Sequence, residues 1–354
     1  MQRLCSGWAR RGTWVALIVM SLSPAPAQVS EPVIARAPFK SRADSPPRKI
    51  VVASAVAAFG GPLERRLALA TELTERAAAR AAALPGGRGL DLVVLPEFAI
   101  EREGTTAAER AIDQDGEAVK TLGALAQRHR TWMVVPMTLR EPADGQIYNA
   151  AMLFGRDGQT AGVFRKVHPI PDANGGFEGG VTPGDEYPVF ECDFGRLGIL
   201  ICWDMAYEDG WARLAARGAD LVALPSASPQ TLRPAAQALL NAFYVVTSTP
   251  RNNASLFDPI GQTVAQATGA PDMLVAEIDL AYAILHWSET LRNGQAFTER
   301  YGDRAGFRYS EREDTGVFWS NDPGLSVRAM LTELHLQEMP EYVRQVDAAR
   351  RRER

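Results

Sequence analysis

LGILICWDMAYED, residues 197–209, runs from an apolar stretch straight into a patch of acids. Residues 197–201 carry no charged or polar side chain, so a strand made of them must be covered on both faces. The same signature recurs in KIVVAS (49–54), DLVVLPE (91–97), TWMVVP (131–136), DLVALPS (220–226) and FYVVTSTP (243–250). Between several of these runs lie helical patterns. In residues 61–87, Leu63, Leu67, Ala70, Leu73, Ala77 and Ala81 fall on one helical face, and Gly86-Gly87 is the expected stop. Buried strands alternating with amphipathic helices predict an α/β fold.

The chain has 354 residues, 46% of them apolar, enough to bury a large core in one big domain or two modest ones. Residues 1–27 read as an export signal: basic Arg3, Arg10 and Arg11, the apolar run WVALIVMSL (14–22), then the small-residue site Ala25-Pro26-Ala27. A run of nine residues falls short of the roughly 20 that span a bilayer. An uncleaved anchor is the alternative, and SPAPAQ argues for cleavage, hence a periplasmic or secreted protein without stable membrane insertion. Cys5 precedes the apolar run and is not placed for lipid attachment. Losing three arginines and no acid takes the formal net charge from -4 to -7, which disfavours nucleic acid as a partner.

Residues 28–48, QVSEPVIARAPFKSRADSPPR, have no apolar period and read as a flexible linker. The folded domain is expected over residues 49–285. Residues 286–354 change character, dense in charge, aromatics and glycine, with a helix expected from about Leu325 to Arg350. This C-terminal extension is either a tail wrapped over the surface or an oligomerisation arm. Two hairpins, NAAMLFGRDGQT from Asn149 and NASLFDPIGQT from Asn253, resemble each other and fit two related sheets packed face to face. Within residues 191–202, ECDFGRLGILIC, a hairpin turning near Gly195 sets Cys192 opposite a residue just past the turn, several positions before Cys202. Two free thiols are therefore expected in the mature chain.

Three strand ends deliver reactive groups: Glu97 after DLVVLP, Lys166 at the end of GVFRK, and Cys202 after LGILI. Each alone has an ordinary explanation as a loop acid, a solvated lysine or a small core residue. Strand ends of α/β sheets, however, are where binding clefts form, and three such groups can converge there.

Together with their flanks they form a pattern. LVVLPEF, YNAAMLF, FRKVH, TPG and LGILICWDMAYED, followed by LPSAS, NAFYVVTSTPRN and SLFDPIGQTVAQA, resemble the nitrilase superfamily of carbon-nitrogen hydrolases over about residues 49–285. The resemblance implies a four-layer α-β-β-α sandwich that pairs into homodimers or larger homo-oligomers. It implies a Glu97-Lys166-Cys202 triad, with Glu97 as general base, Lys166 and the Trp203 backbone N–H as oxyanion donors, and Cys202 as nucleophile. Glu178 is the candidate for a second glutamate that positions substrate or lysine, and Asp204 an accessory group. Asp204 gives CWD where nitrile-cleaving members show CWE or CGE, which leans towards a small-molecule amide or carbamoyl substrate. Met205 and Ala206 stand where carbamoylase-like members carry arginine, although Arg251 offers another cation. Asp209 stands where the family commonly has Pro-Glu. No metal and no organic cofactor is implied.

The loops expected to shape the pocket are 99–117, 138–148, 170–184 and 226–236. Competing readings are weaker. A papain-like protease would pair Cys202 with a histidine, and His168 lies upstream without that family's flanks. The scattered histidines show no zinc-ligand spacing. A nitrilase, an N-acyltransferase using the same triad, and an inactive scaffold of the same fold remain the alternatives.

Overall fold

In the computed structural model, which describes residues 41–173 and 175–353, two sheets carry most of the buried strands. The first runs, in spatial order, Asp272–Asp279, Lys49–Val56, Leu92–Val94, Trp132–Arg140, Ile147–Phe154 and Thr160–Arg165, with the short Ile112–Asp113 beside Trp132–Arg140. The second runs Thr263–Ala267, Ala254–Phe257, Tyr244–Ser248, Leu221–Pro225, Gly195–Ile199 and Val189–Cys192. The central strands of each sheet are parallel and the outer pairs antiparallel.

Alternation along Lys49–Val56 sets the layers. Ile50, Val52 and Val56 share one core with Leu197, Ile199, Val222 and Val245 of the second sheet. Val51, Ala53 and Ala55 join a different core with the helices Leu63–Ala82 and Glu117–His129. Helices Glu208–Ala216 and Leu232–Asn241 cover the far side of the second sheet through Trp211, Leu214 and Ala238. The result is the α-β-β-α sandwich. Near the carboxyl ends of their strands the sheets also touch by polar groups: Ser54 Oγ donates to the Thr247 carbonyl at 2.7 Å, and Ser248 Oγ to the Ala55 carbonyl at 2.8 Å. The two similar hairpins, Ile147–Phe154 with Thr160–Arg165 and Ala254–Phe257 with Thr263–Ala267, lie at edges of the two different sheets.

The 286–354 segment begins inside a strand, Tyr282–His286, which pairs with Thr315–Ser320, itself paired with Ala305–Ser310. Phe297, Phe318, Val327, Met330 and Leu331 close a small core over this sheet. Three sequence expectations need correction. The first long helix ends at Ala82, before Pro85 and the glycine pair. The single helix expected over 325–350 is two, Val327–Glu333 and Met339–Arg352, because His335 turns left-handed (φ 54°) and Pro340 starts the second. Residues 41–48 of the expected flexible linker are docked: Ala43 lies in the C-terminal core and Arg42 pairs with the buried Asp220 at 3.0 Å. Residues 1–27, read as a signal, lie outside the described residues.

The hairpin Val189–Cys192/Gly195–Ile199 pairs Cys192 with Gly195, and both Cys192 and Cys202 are free thiols, as the register argument requires. Among the described residues no helix is long and apolar enough to cross a membrane.

Candidate active site

Glu97 follows strand Leu92–Val94 by way of Leu95 and Pro96, and the chain then turns sharply, with Phe98 at φ 57°. Arg66 holds that turn by donating to the Phe98 carbonyl at 2.9 Å. Lys166 follows the return strand Thr160–Arg165, and its backbone N–H continues the pairing by donating to the Asn149 carbonyl at 2.9 Å. Gly184 of the TPG motif packs against this point: it donates to the Lys166 carbonyl at 2.8 Å, and a Cβ there would lie 2.4 Å from the Arg165 carbonyl. Cys202 ends the Gly195–Ile199 run and takes φ 47°, an uncommon conformation for a residue with a Cβ. A 3-10 turn, Cys202–Ala206, follows at once.

The structure brings Glu97, Lys166, Glu178 and Cys202 together. Lys166, 1% exposed, donates from Nζ to Glu97 Oε1 at 2.8 Å and to Glu178 Oε1 at 2.6 Å. An ammonium has three N–H donors, so one is left over from these two bonds. Burial alone would lower the Lys166 pKa, but the charges of Glu97, Cys202 and Glu178 outweigh it and hold it well above the ordinary lysine value. Burial, reinforced by the Glu97 charge, pushes the Cys202 thiol up to about 11, against the opposing pull of Lys166 and a hydrogen bond with Ser226. The thiol also hydrogen-bonds with Glu97. Cys202 at rest is therefore a neutral thiol beside a proton acceptor.

Sequence reasoning did not single out two neighbours. Asn149, 1% exposed, donates from Nδ2 to both Glu97 Oε1 and Glu178 Oε2, each at 2.8 Å. The other Glu97 oxygen accepts from the Ala227 backbone N–H at 2.8 Å. Glu97 is thus fixed by three donors from three separate segments. Ser226, the second omission, lies one residue before Ala227. A signal was present in the septets DLVVLPE and DLVALPS: one in each sheet, they deliver Glu97 and Ser226 from equivalent positions after Leu-Pro.

Glu178 sits in the glycine-rich loop at φ 46°, with its carbonyl held by Arg110 at 2.9 Å and its Oε1 accepting from the Ile170 N–H at 3.0 Å. Trp203 begins the turn after Cys202 with its side chain 41% exposed. Asp204, expected as an accessory group, lies in the turn that follows Cys202. Its side chain is wholly buried, and both oxygens are taken by the chain itself: Oδ2 by the Ile201 N–H at 3.1 Å, Oδ1 by the His168 N–H at 2.8 Å. His168 does not pair with the thiol in papain fashion. Its Nδ1 lies 3.2 Å from both Asp204 Oδ1 and the Tyr187 hydroxyl. Among the described residues no group of three or more His, Cys, Asp or Glu side chains is arranged to hold a metal ion.

Residues 55–285 match the carbon-nitrogen hydrolase family. An omega-amidase of Xenopus laevis (NIT2-A) is 30% identical over 218 residues, covering 55% of this chain and 79% of its own. A deaminated glutathione amidase of Synechocystis is 31% identical over 221 residues, covering 54% and 80%. The fold is shared with Saccharomyces cerevisiae Nit3, a nitrilase-superfamily member, at a TM-score of 0.57 and 24% identity, covering 66% of this chain and 90% of that one. A carbon-nitrogen hydrolase from Helicobacter pylori superposes with a TM-score of 0.56 at 23% identity, with the same coverage. A family match across residues 55–285 and a shared sandwich identify this chain as a carbon-nitrogen hydrolase of the nitrilase superfamily.

Proposed function

We propose that this protein hydrolyses the C–N bond of a small amide or carbamoyl compound through a thioester on Cys202. The observation that carries the reading is the shared network in which Lys166 and Asn149 each bond both Glu97 and Glu178 beside a neutral thiol. Glu97 takes the thiol proton as sulfur attacks the carbonyl carbon. The third Lys166 N–H and the Trp203 backbone N–H meet the oxyanion. Protonated Glu97 then gives its proton to the leaving nitrogen, the C–N bond breaks, and ammonia or an amine departs. Water, deprotonated by the same carboxylate, attacks the thioester; the acid is released and Cys202 regains its proton.

The amidase names of the relatives above favour the amide over the nitrile alternative. Ammonia release from a panel of small amides, carbamoyl compounds and nitriles, with wild type and Cys202→Ala, tests the reading. Release by wild type alone is expected. Equal release by both proteins, or by neither, sinks it, and release from nitriles alone moves the assignment to a nitrilase.

The protein is proposed to act as a homo-oligomer. Leu232, Leu239 and Leu240 on one helix and Met339, Tyr342, Val343 and Val346 on another are exposed, and the two helices border a groove of about 720 Å³. Apolar stripes of this kind are commonly covered by a partner. Light scattering of wild type against Leu239→Glu/Val343→Glu, with the variant expected to be monomeric, checks this. Export with removal of residues 1–27 is likewise a proposal, supported by the basic, apolar and small-residue segments of that stretch; the mass of the exported protein tests it.

A further inference from the structure

We infer that Asp204 is a positioning residue that locks the Cys202 turn to the loop following Lys166, acting through the backbone and His168 and never touching substrate. The inference rests on Cys202 being the nucleophile. Cys202 is held at φ 47°, a left-handed conformation that a residue with a Cβ keeps only where its surroundings over-determine it. Asp204 supplies that constraint twice. Its backbone N–H donates to the Ile201 carbonyl at 3.0 Å, and its Oδ2 accepts from the Ile201 N–H at 3.1 Å, closing a ring around Cys202 and Trp203.

The other oxygen reaches a second catalytic segment. Asp204 Oδ1 accepts from the His168 backbone N–H at 2.8 Å, two residues after Lys166. His168 is seated further by Tyr187, whose hydroxyl is 3.2 Å from Nδ1, and by Tyr207, whose ring stacks on the imidazole at 3.5 Å. Two residues on, the Ile170 N–H is held by Glu178. Residues 166–170 are thus pinned at Lys166 by Glu97 and Glu178, at His168 by Asp204 and at Ile170 by Glu178. A fully buried carboxylate must have partners, and those of Asp204 lie beside the nucleophile and the ammonium. One carboxylate thereby sets the separation of the thiol from the lysine.

Displacing reacting groups by about 1 Å costs on the order of 10²-fold in rate, and that is the loss expected in kcat for Asp204→Asn and for the longer Asp204→Glu. KM should stay within about threefold, the mark of an interaction that does not bind substrate. His168→Ala keeps the backbone bond and loses the ring contacts, so its kcat should fall by roughly tenfold with the same unchanged KM. The measurements are kcat and KM for each variant, the thermal midpoint, and the rate at which iodoacetamide alkylates Cys202 without substrate. Alkylation should slow in step with kcat. That readout needs no amide, so it tests the lock even if no panel compound is hydrolysed. A raised KM at constant kcat, or folded variants with kcat and alkylation within about threefold of wild type, overturns the inference. If Asp204→Asn fails to fold, His168→Ala decides by the same two readouts.

Discussion

Replacing Glu97 by glutamine separates two effects that the site combines. The Cys202 thiol is pushed up to about 11, first by burial and then by the Glu97 charge. At pH 8 the thiolate fraction is then on the order of 10⁻³, so the proposed mechanism needs proton transfer to Glu97 during attack. Glutamine keeps the shape but removes the charge, leaving Lys166 opposed by Glu178 alone. Loss of a neighbouring like charge should lower the thiol titration by about one to two pH units. The same substitution should lower kcat by roughly 10²- to 10⁴-fold, the usual contribution of a general base. Thiolate absorbance at about 240 nm followed against pH, with Cys202→Ala subtracted, reads the first effect. Subtraction also removes Cys192, which burial pushes up to about 12. Ammonia release reads the second. A variant whose thiol becomes more acidic while turnover collapses supports a proton acceptor whose charge opposes the thiolate. An unchanged or raised thiol titration refutes that electrostatic reasoning, and retained turnover refutes the base.

Lys166→Met leaves Glu97 and Glu178 facing each other without their shared cation. Unfolding free energy should fall by about 3–5 kcal/mol in urea titrations, and kcat should fall by roughly 10²- to 10³-fold from loss of the proposed oxyanion donor. Asn149→Leu removes two 2.8 Å bonds to carboxylates, for which a loss of about 2–4 kcal/mol in the same titration is expected. Arg308→Ala strips the partner from Asp258, a wholly buried carboxyl that burial already holds above its ordinary range. With the guanidinium one-third exposed, the cost should be about 2 kcal/mol at neutral pH. Removing Arg308 raises the Asp258 pKa further, so the penalty is present at neutral pH and shrinks as the pH falls through the folded-state value. Thermal midpoints of wild type and variant that converge on acidification match this sign, and midpoints that diverge contradict it.

Which parts of this could be read from the chain follows from how local each signal is. The buried strands announce themselves because continuous apolar runs suit strands covered on both faces, and Glu97, Lys166 and Cys202 stand at their ends in recognisable flanks. Asn149 was hidden because its role depends on partners 52 and 29 residues away in sequence. Ser226 was hidden because its strand, Leu221–Pro225, must pair with Gly195–Ile199 in the second sheet before its end meets that of Cys202. Asp204 reads in the sequence only as an accessory group beside Cys202, and the fold shows its oxygens turned back onto Ile201 and His168. Docking of residues 41–48 rests on Arg42 reaching Asp220, far along the chain, which no local pattern encodes. The break in the last helical region was locally marked by Pro340, but periodicity ran through it because apolar residues continue on both sides.

The most direct test of the thioester route is intact mass of the protein quenched in acid during turnover of an active amide. Wild type should carry the acyl group of that amide, mapped by peptide digestion to Cys202, and Cys202→Ala should carry none. An adduct on another residue, or ammonia released at full rate by Cys202→Ala, would contradict a thioester on Cys202.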